Sequence, residues 1–214
     1  MSSTKRGGKR NESDYYPTPA WCTKRLLEHT HLPSGPWLEP CAGYGHIIKA
    51  SKELRPDIEW TANELREDCR DELLPLADTI SFGDFLSWPT PEAPRFNVAI
   101  TNPPFSLAMP IINKCLEYAK WVVMLLRLNF VGTADRSPFF KSFMPDSLVL
   151  PERPSFTGKG TTDSIEYAWF VWPDSLNRRR SRGYIELLGN TSLEERRRDQ
   201  EDCRKFVENL NIAA

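Results

Sequence analysis

Pro36-Trp37-Leu38-Glu39-Pro40-Cys41-Ala42-Gly43-Tyr44-Gly45 decides the fold class. A short apolar strand runs into a loop of small residues, and Ile47 to Leu54 continues with helical apolar spacing. Glycines in such a loop let the backbone approach a ligand at the C-terminal end of the strand. The loop does not match a dinucleotide or phosphate pattern. Gly-x-Gly-x-x-Gly is incomplete because Ile48 fills its last place, and no Gly-Lys-Ser/Thr follows.

The alternation of strand and helix extends both ways. Upstream, Thr18 is placed as N-cap and Pro19 as first residue of a helix whose apolar face is Trp21, Leu26 and Leu27. Downstream, residues 58–64 read as a strand ending in the acid Glu64. That acid stands about twenty residues after the glycines, the spacing of one that binds ribose hydroxyls; a solvated surface Glu is the plain alternative. A helix is expected over 66–74, stopped by Pro75, then a short strand and turn over 79–86. Phe96 to Ile100 is the next strand, Leu107 to Tyr118 a helix, and Trp121 to Leu126 a fully buried strand. A short helix at 137–141 and a strand at 147–150 follow. Residues 165–172 read as the last strand, returning antiparallel. The pattern predicts an α/β, Rossmann-like sandwich, with a mostly parallel sheet and a C-terminal antiparallel hairpin.

Ile100-Thr101-Asn102-Pro103-Pro104-Phe105 carries the chemistry. Two adjacent prolines remove two backbone donors and fix two φ angles, and Asn102 before Pro103 is pushed toward extended geometry. A stiff loop at a strand end therefore presents an amide, free carbonyls and a ring. A conjugated exocyclic amine is a poor nucleophile because its lone pair is delocalised. The Asn102 side-chain oxygen and the Pro103 carbonyl can each accept one of its N–H groups, which favours a pyramidal nitrogen and aims the lone pair at an electrophile. Phe105 can stack on the planar group. A purely structural Pro-Pro turn is the alternative.

Asn102-Pro103-Pro104-Phe105 resembles motif IV of the S-adenosylmethionine-dependent amino-methyltransferases. Glu39-Pro40-x-x-Gly43-x-Gly45 is similar to motif I of the class I methyltransferases, and the resemblance covers about Tyr15 to Pro173. It implies the cofactor S-adenosylmethionine, with Glu39 receiving its ammonium and Cys41, Gly43 and Gly45 wrapping its methionine part. Tyr15-Tyr16-Pro17-Thr18-Pro19 resembles motif X of many DNA adenine methyltransferases, which would bring Tyr16, Thr18 and Pro19 to the methionine end. Asp84 matches the motif III acid that accepts the adenine N6 hydrogen, with Phe85 beside that ring and Glu64 on the ribose. The catalytic set is Asn102, Pro103, Pro104 and Phe105. Phe105, Arg127, Asn129 and Phe156 are expected to contact the target base. The expected activity is methylation of adenine N6 in DNA, as in the small phage or orphan enzymes. Adenine in RNA, a glutamine amide of a protein, or a non-catalytic binding module are the alternatives; Phe105, where the glutamine enzymes usually carry Tyr, counts against the second.

The 214 residues fit one domain, and 40% hydrophobic residues suffice for a substantial core. Residues 1–14 read as a flexible basic arm, 15–173 as the methyltransferase domain, and 174–214 as a charged, partly helical tail. A formal net charge of -1 gives no global signature of a nucleic-acid binder. Contact with DNA must come from local patches such as Lys5–Arg10 and Arg178–Arg182. Cys22, Cys41, Cys69, Cys115 and Cys203 form no Cys-x-x-Cys pair and read as reduced thiols. Of the three histidines, His29, His31 and His46, the first two stand two positions apart, which on a helix is not one face, and no metal is expected. No apolar run is long enough to cross a bilayer. A monomer in a bacterial or phage-infected cytoplasm is the expectation.

Overall fold

The computed structural model describes residues 17–156, 164–174 and 183–212. One eight-stranded sheet organises them. Its strands are β1 (Pro36–Glu39), β2 (Glu59–Glu64), β3 (Thr79–Phe82), β4 (Phe96–Thr101), β5 (Ala119–Arg127), β6 (Asp146–Val149), β7 (Tyr167–Trp172) and β8 (Ile185–Leu187), in the spatial order β3-β2-β1-β4-β5-β7-β6-β8. The first five are parallel; β7 runs antiparallel to both β5 and β6, and β8 is parallel to β6. The sheet thus has the expected parallel half and antiparallel hairpin. The chain reverses its direction of travel between β1 and β4, so the C-terminal ends of these two strands open a crevice.

Both faces of the sheet are covered, which explains its apolar runs. All six residues of β7 are buried. Alternate side chains feed two cores. Val123, Leu125, Trp169 and Val171 point into one, with Trp21 and Leu26 of α1 (Ala20–His29) and Ile47 and Ile48 of α2 (His46–Leu54). Val122, Met124, Leu126, Phe170 and Trp172 point into the other. There they meet Ile111, Ile112 and Cys115 of α4 (Ala108–Tyr118) and Phe140 of α5 (Ser137–Ser142).

Three details depart from expectation. The helix over 66–74 is shorter, a 3-10 turn at Glu67–Cys69 followed by α3 (Arg70–Leu73). Only Cys69 and Leu73 are buried there, too small an apolar stripe to order more turns. The N-cap of α1 is Pro19, with extended ψ, not Thr18. Trp172 does not end the sheet. The short β8 adds a further strand, and α6 (Leu193–Ile212) packs back on α1. The arm 1–14, with Lys5–Arg10, and the Arg178–Arg182 cluster lie outside the described residues.

Candidate active site

A cavity with about 1060 Å³ of space between atoms, open to solvent on one side, lies at the ends of β1, β2, β3 and β4. Glu39, Cys41, Gly43, Glu64, Asp84, Phe85, Thr18 and all four residues of Asn102–Phe105 line it. The two stretches that the sequence singled out therefore share one space.

The β1–α2 loop is held from below. Glu64, at the end of β2, accepts the Gly43 backbone N–H on Oε2 at 2.6 Å, and its Oε1 faces Arg66 Nε at 3.4 Å. Asn63 precedes it, fully buried. Its amide donates to the Pro40 and Gly83 carbonyls at 3.2 and 3.1 Å and accepts from Ser81 Oγ at 2.9 Å. Two loops that line the cavity and strand β3 are thereby tied to one side chain. Gly45 has a φ of 74°, and a Cβ there would stand 2.6 Å from Leu76 Cδ1. Glycine suits this left-handed backbone, which residues with a Cβ adopt only at a cost.

Glu39 is the decisive group. Its side chain is 2% exposed, and its Oε2 has no hydrogen-bond partner among the described residues. Burial, helped by the nearby Glu64 charge, pushes its carboxyl well above the usual range, although the Ile48 backbone N–H opposes the shift. A buried unsatisfied carboxylate oxygen is costly. It becomes favourable when a cationic N–H donor reaches it, as a ligand ammonium does. Asp84 is exposed, lines the cavity and caps the following turn, its Oδ1 taking the Leu86 N–H at 2.9 Å. The arrangement fits S-adenosylmethionine: a buried acid for the ammonium, an acid at the β2 end for the ribose, an exposed acid for the adenine amine.

Asn102 emerges from β4 into the same space. Its Nδ2 donates to Thr18 Oγ1 at 3.1 Å, and Thr18 is 4% exposed. With the amide nitrogen anchored there, Oδ1 is the acceptor that this cavity-lining side chain has left to offer. The Thr18 hydroxyl, expected to cap α1, instead fixes the putting-forward of this amide. On the methyl-transfer reading proposed below, Thr18→Val should therefore lower the rate about tenfold, the worth of one modest hydrogen bond, with cofactor affinity held within twofold. Single-turnover kinetics beside calorimetry checks it; unchanged kinetics would show that the anchor is idle.

The other expected residues are placed as follows. Tyr16 lies outside the described residues. Pro19 begins α1 without lining the cavity. Phe85 borders the cavity but is 3% exposed, its ring packed against Trp88 and Tyr118. Arg127, the last residue of β5, sits with its guanidinium carbon 4.8 Å from the Phe105 ring centroid and its Nε 3.2 Å from Tyr167 Oη. Asn129 is exposed in the next turn. Phe156 is 8% exposed, and its ring meets Tyr167 edge-on at 5.1 Å rather than lining the cavity. Most of its loop, 157–163, lies outside the described residues.

His46, Leu65, Arg66, Leu86, Leu107 and Ile111 also line the cavity and were not anticipated. Burial and the neighbouring Lys49 push His46 down to about 4, so its ring is neutral at ordinary pH. Asn63 did carry a signal: an amide inside a strand whose neighbours are apolar must find buried partners.

No family model and no curated protein sequence matches the chain. Solved structures do. A predicted O-methyltransferase from Agrobacterium tumefaciens superposes with a TM-score of 0.54 at 13% identity, over 87% of this chain and 96% of that one. The fold is that of a class I methyltransferase. A dimethyladenosine transferase from Plasmodium falciparum shares it with a TM-score of 0.52 at 15% identity, over 78% of this chain and 65% of the other. So does the 23S rRNA methyltransferase ErmE, at 0.50 and 16%, over 73% and 68%. In this methyltransferase fold the cavity occupies the crevice outside the carboxyl ends of the strands, where α/β sheets bind ligands.

Proposed function

We propose that this chain transfers a methyl group from S-adenosylmethionine to the N6 amino group of adenine in DNA. One observation carries the reading: Asn102, its amide nitrogen anchored on Thr18, and Pro103 line the same cavity as Glu39, whose Oε2 has no hydrogen-bond partner among the described residues. When bound, the cofactor supplies a sulfonium-borne, electrophilic methyl group. Glu39 holds the ammonium end, Glu64 the ribose and Asp84 the adenine amine. Asn102 Oδ1 and Pro103 O accept the two hydrogens of the target amine, rehybridise its nitrogen and point its lone pair into the cavity. The target base reaches this position by flipping out of the stack. Phe105 offers a face for the base, backed by the Arg127 guanidinium.

The chemistry would be direct transfer without a covalent enzyme intermediate: the nitrogen lone pair forms the N–C bond as the methyl–sulfur bond breaks, the sulfur leaves as a neutral thioether, and the amine gives up one proton to solvent. Cys41 lines the cavity, but burial and the charges of Glu64 and Glu39 push its thiol up, away from a reactive thiolate. Alignment and fixed dipoles supply the rate. The resemblance of Tyr15–Pro19 to motif X favours DNA over RNA.

The test is expression in a methylation-deficient bacterium, followed by mass spectrometry of nucleosides from purified DNA and RNA. N6-methyladenine in DNA is the expected product. Label found in RNA alone would reassign the substrate, and absence from both would end the nucleic-acid reading. If base reading comes from short segments such as 132–138 and 153–163, few side chains reach base edges. Sequencing of modified DNA is expected to show a motif of a few bases or none; a strict site of six or more would point to an additional recognition element.

A further inference from the structure

The C-terminal helix α6 was expected to be a solvated or phosphate-binding tail. Its contacts lead to the cavity by two routes. The first runs through α1, whose N-cap Pro19 provides no side-chain cap. The missing cap comes from α6. Asp199, 8% exposed, accepts the Trp21 backbone N–H on Oδ2 at 2.5 Å. Arg25 fastens the same pair of helices, with Nη2 2.5 Å from Glu195 Oε2 and Nε 3.4 Å from Thr191 Oγ1. The turn so held begins right after Thr18, the residue that anchors Asn102. The second route runs through Phe206. Its ring stands 4.8 Å from Tyr44 and 4.7 Å from His46, edge-on to both. Tyr44 belongs to the β1–α2 loop, and His46 lines the cavity.

We propose that α6 is a working part of the active site: Asp199 positions Thr18, and through it Asn102, while Phe206 backs the cofactor loop. Resting on the methyl-transfer reading above, this assigns two residues of one helix, about two turns apart, to two different steps. Asp199 bears on the rate and Phe206 on cofactor affinity. Asp199 touches no reacting atom and is a positioning residue. A carboxylate is used because a charged acceptor holds a helix N-terminal N–H more strongly than a neutral one does. Misplacing a reacting group by even a fraction of an ångström is felt in the rate.

The test uses the full chain and three variants, Asp199→Ala, Asp199→Asn and Phe206→Leu. Each is measured by calorimetry with S-adenosylhomocysteine, by single-turnover methylation at saturating cofactor, and by thermal unfolding. Asp199→Ala is expected to lose roughly tenfold in rate with cofactor affinity within twofold, and Asp199→Asn, which keeps an acceptor oxygen, to recover most of that loss. Phe206→Leu is expected to weaken cofactor binding about fivefold with little change of rate at saturation. Equal losses in Asp199→Ala and Asp199→Asn, or a rate as fast as wild type in both, overturn the positioning role. Unchanged affinity in Phe206→Leu overturns the other half. Should Asp199→Ala fail to fold, hydrogen exchange on the wild type decides. The Trp21 amide should open together with the amides of α6, and independent opening refutes the link. Wild-type protein that binds no cofactor or methylates neither DNA nor RNA removes the functional reading and this inference with it. A working wild type with uniform variants removes this inference alone.

Discussion

Asn102→Ala is expected to lower single-turnover methylation by a hundredfold or more while leaving cofactor affinity within twofold. The amide belongs to the target-amine half of the cavity, and its Oδ1 is proposed to accept a hydrogen from the reacting nitrogen itself. That contact strengthens as the nitrogen becomes pyramidal, so its loss falls on the transition state. Removing one preorganised group of this kind typically costs ~2.7–4 kcal/mol. Asn102 also donates to Thr18, and alanine leaves that buried hydroxyl without this partner. The structural part of the effect is therefore measured separately, by comparing thermal unfolding of Asn102→Ala and Thr18→Val. If the two variants unfold alike while only Asn102→Ala loses the full hundredfold, the amide oxygen acts in the reaction. A rate above a tenth of wild type would remove Asn102 from the catalytic role.

The core of this site was legible because its chemistry is local. Pro-Pro after an apolar strand dictates a stiff loop wherever it occurs, and Gly43 and Gly45 permit a backbone that residues with side chains rarely adopt. The strands of the parallel half showed themselves as short apolar runs, and the doubly covered sheet is the reason for those runs. What was not legible depends on distant parts of the chain. Asp199 and Trp21 are 178 positions apart, and no local pattern relates an acid in a charged helix to an uncapped helix near the other end. Thr18 was misread for the same reason: a threonine before a helix reads as a cap, and its actual partner lies 84 positions away. Phe156 was expected to contact the target base because it is the one aromatic of a polar loop, but Tyr167 on β7 offers it a buried neighbour. The strand β8 escaped notice because its three residues are all exposed and give no alternation of burial.

Glu39→Gln should do two opposite things: weaken cofactor binding and stabilise the free protein. A charge-assisted bond from a ligand ammonium to the Glu39 carboxylate is worth about 1.5–3 kcal/mol, so the affinity loss should be roughly ten- to a hundredfold. The free protein meets the reverse situation. Its Glu39 Oε2 is buried without a partner among the described residues, and burial together with Glu64 raises the carboxyl's folded-state pKa well above its unfolded one. The folded state then keeps a proton that the unfolded chain has already released. Stability falls with rising pH wherever the native state binds more protons. The contribution is fully present below the ordinary carboxylate pKa and is lost as pH rises from there through the raised folded value. Glutamine has no proton to lose, so the variant should melt higher than wild type, by a margin that is absent near pH 4 and widens toward neutrality. Binding is linked in the same sense: an ammonium that needs the carboxylate must expel the Glu39 proton, so wild-type affinity should rise with pH, and calorimetry in buffers of different ionisation enthalpy should show proton release. The Gln variant should show neither the slope from this group nor the release. A Glu39→Gln protein that melts lower than wild type at neutral pH would mean that the carboxylate is satisfied in the folded chain, and a variant that binds the cofactor as tightly as wild type would place the ammonium elsewhere. Both outcomes are read from one preparation, and together they separate a carboxylate held ready for a cationic ligand from one that serves the fold.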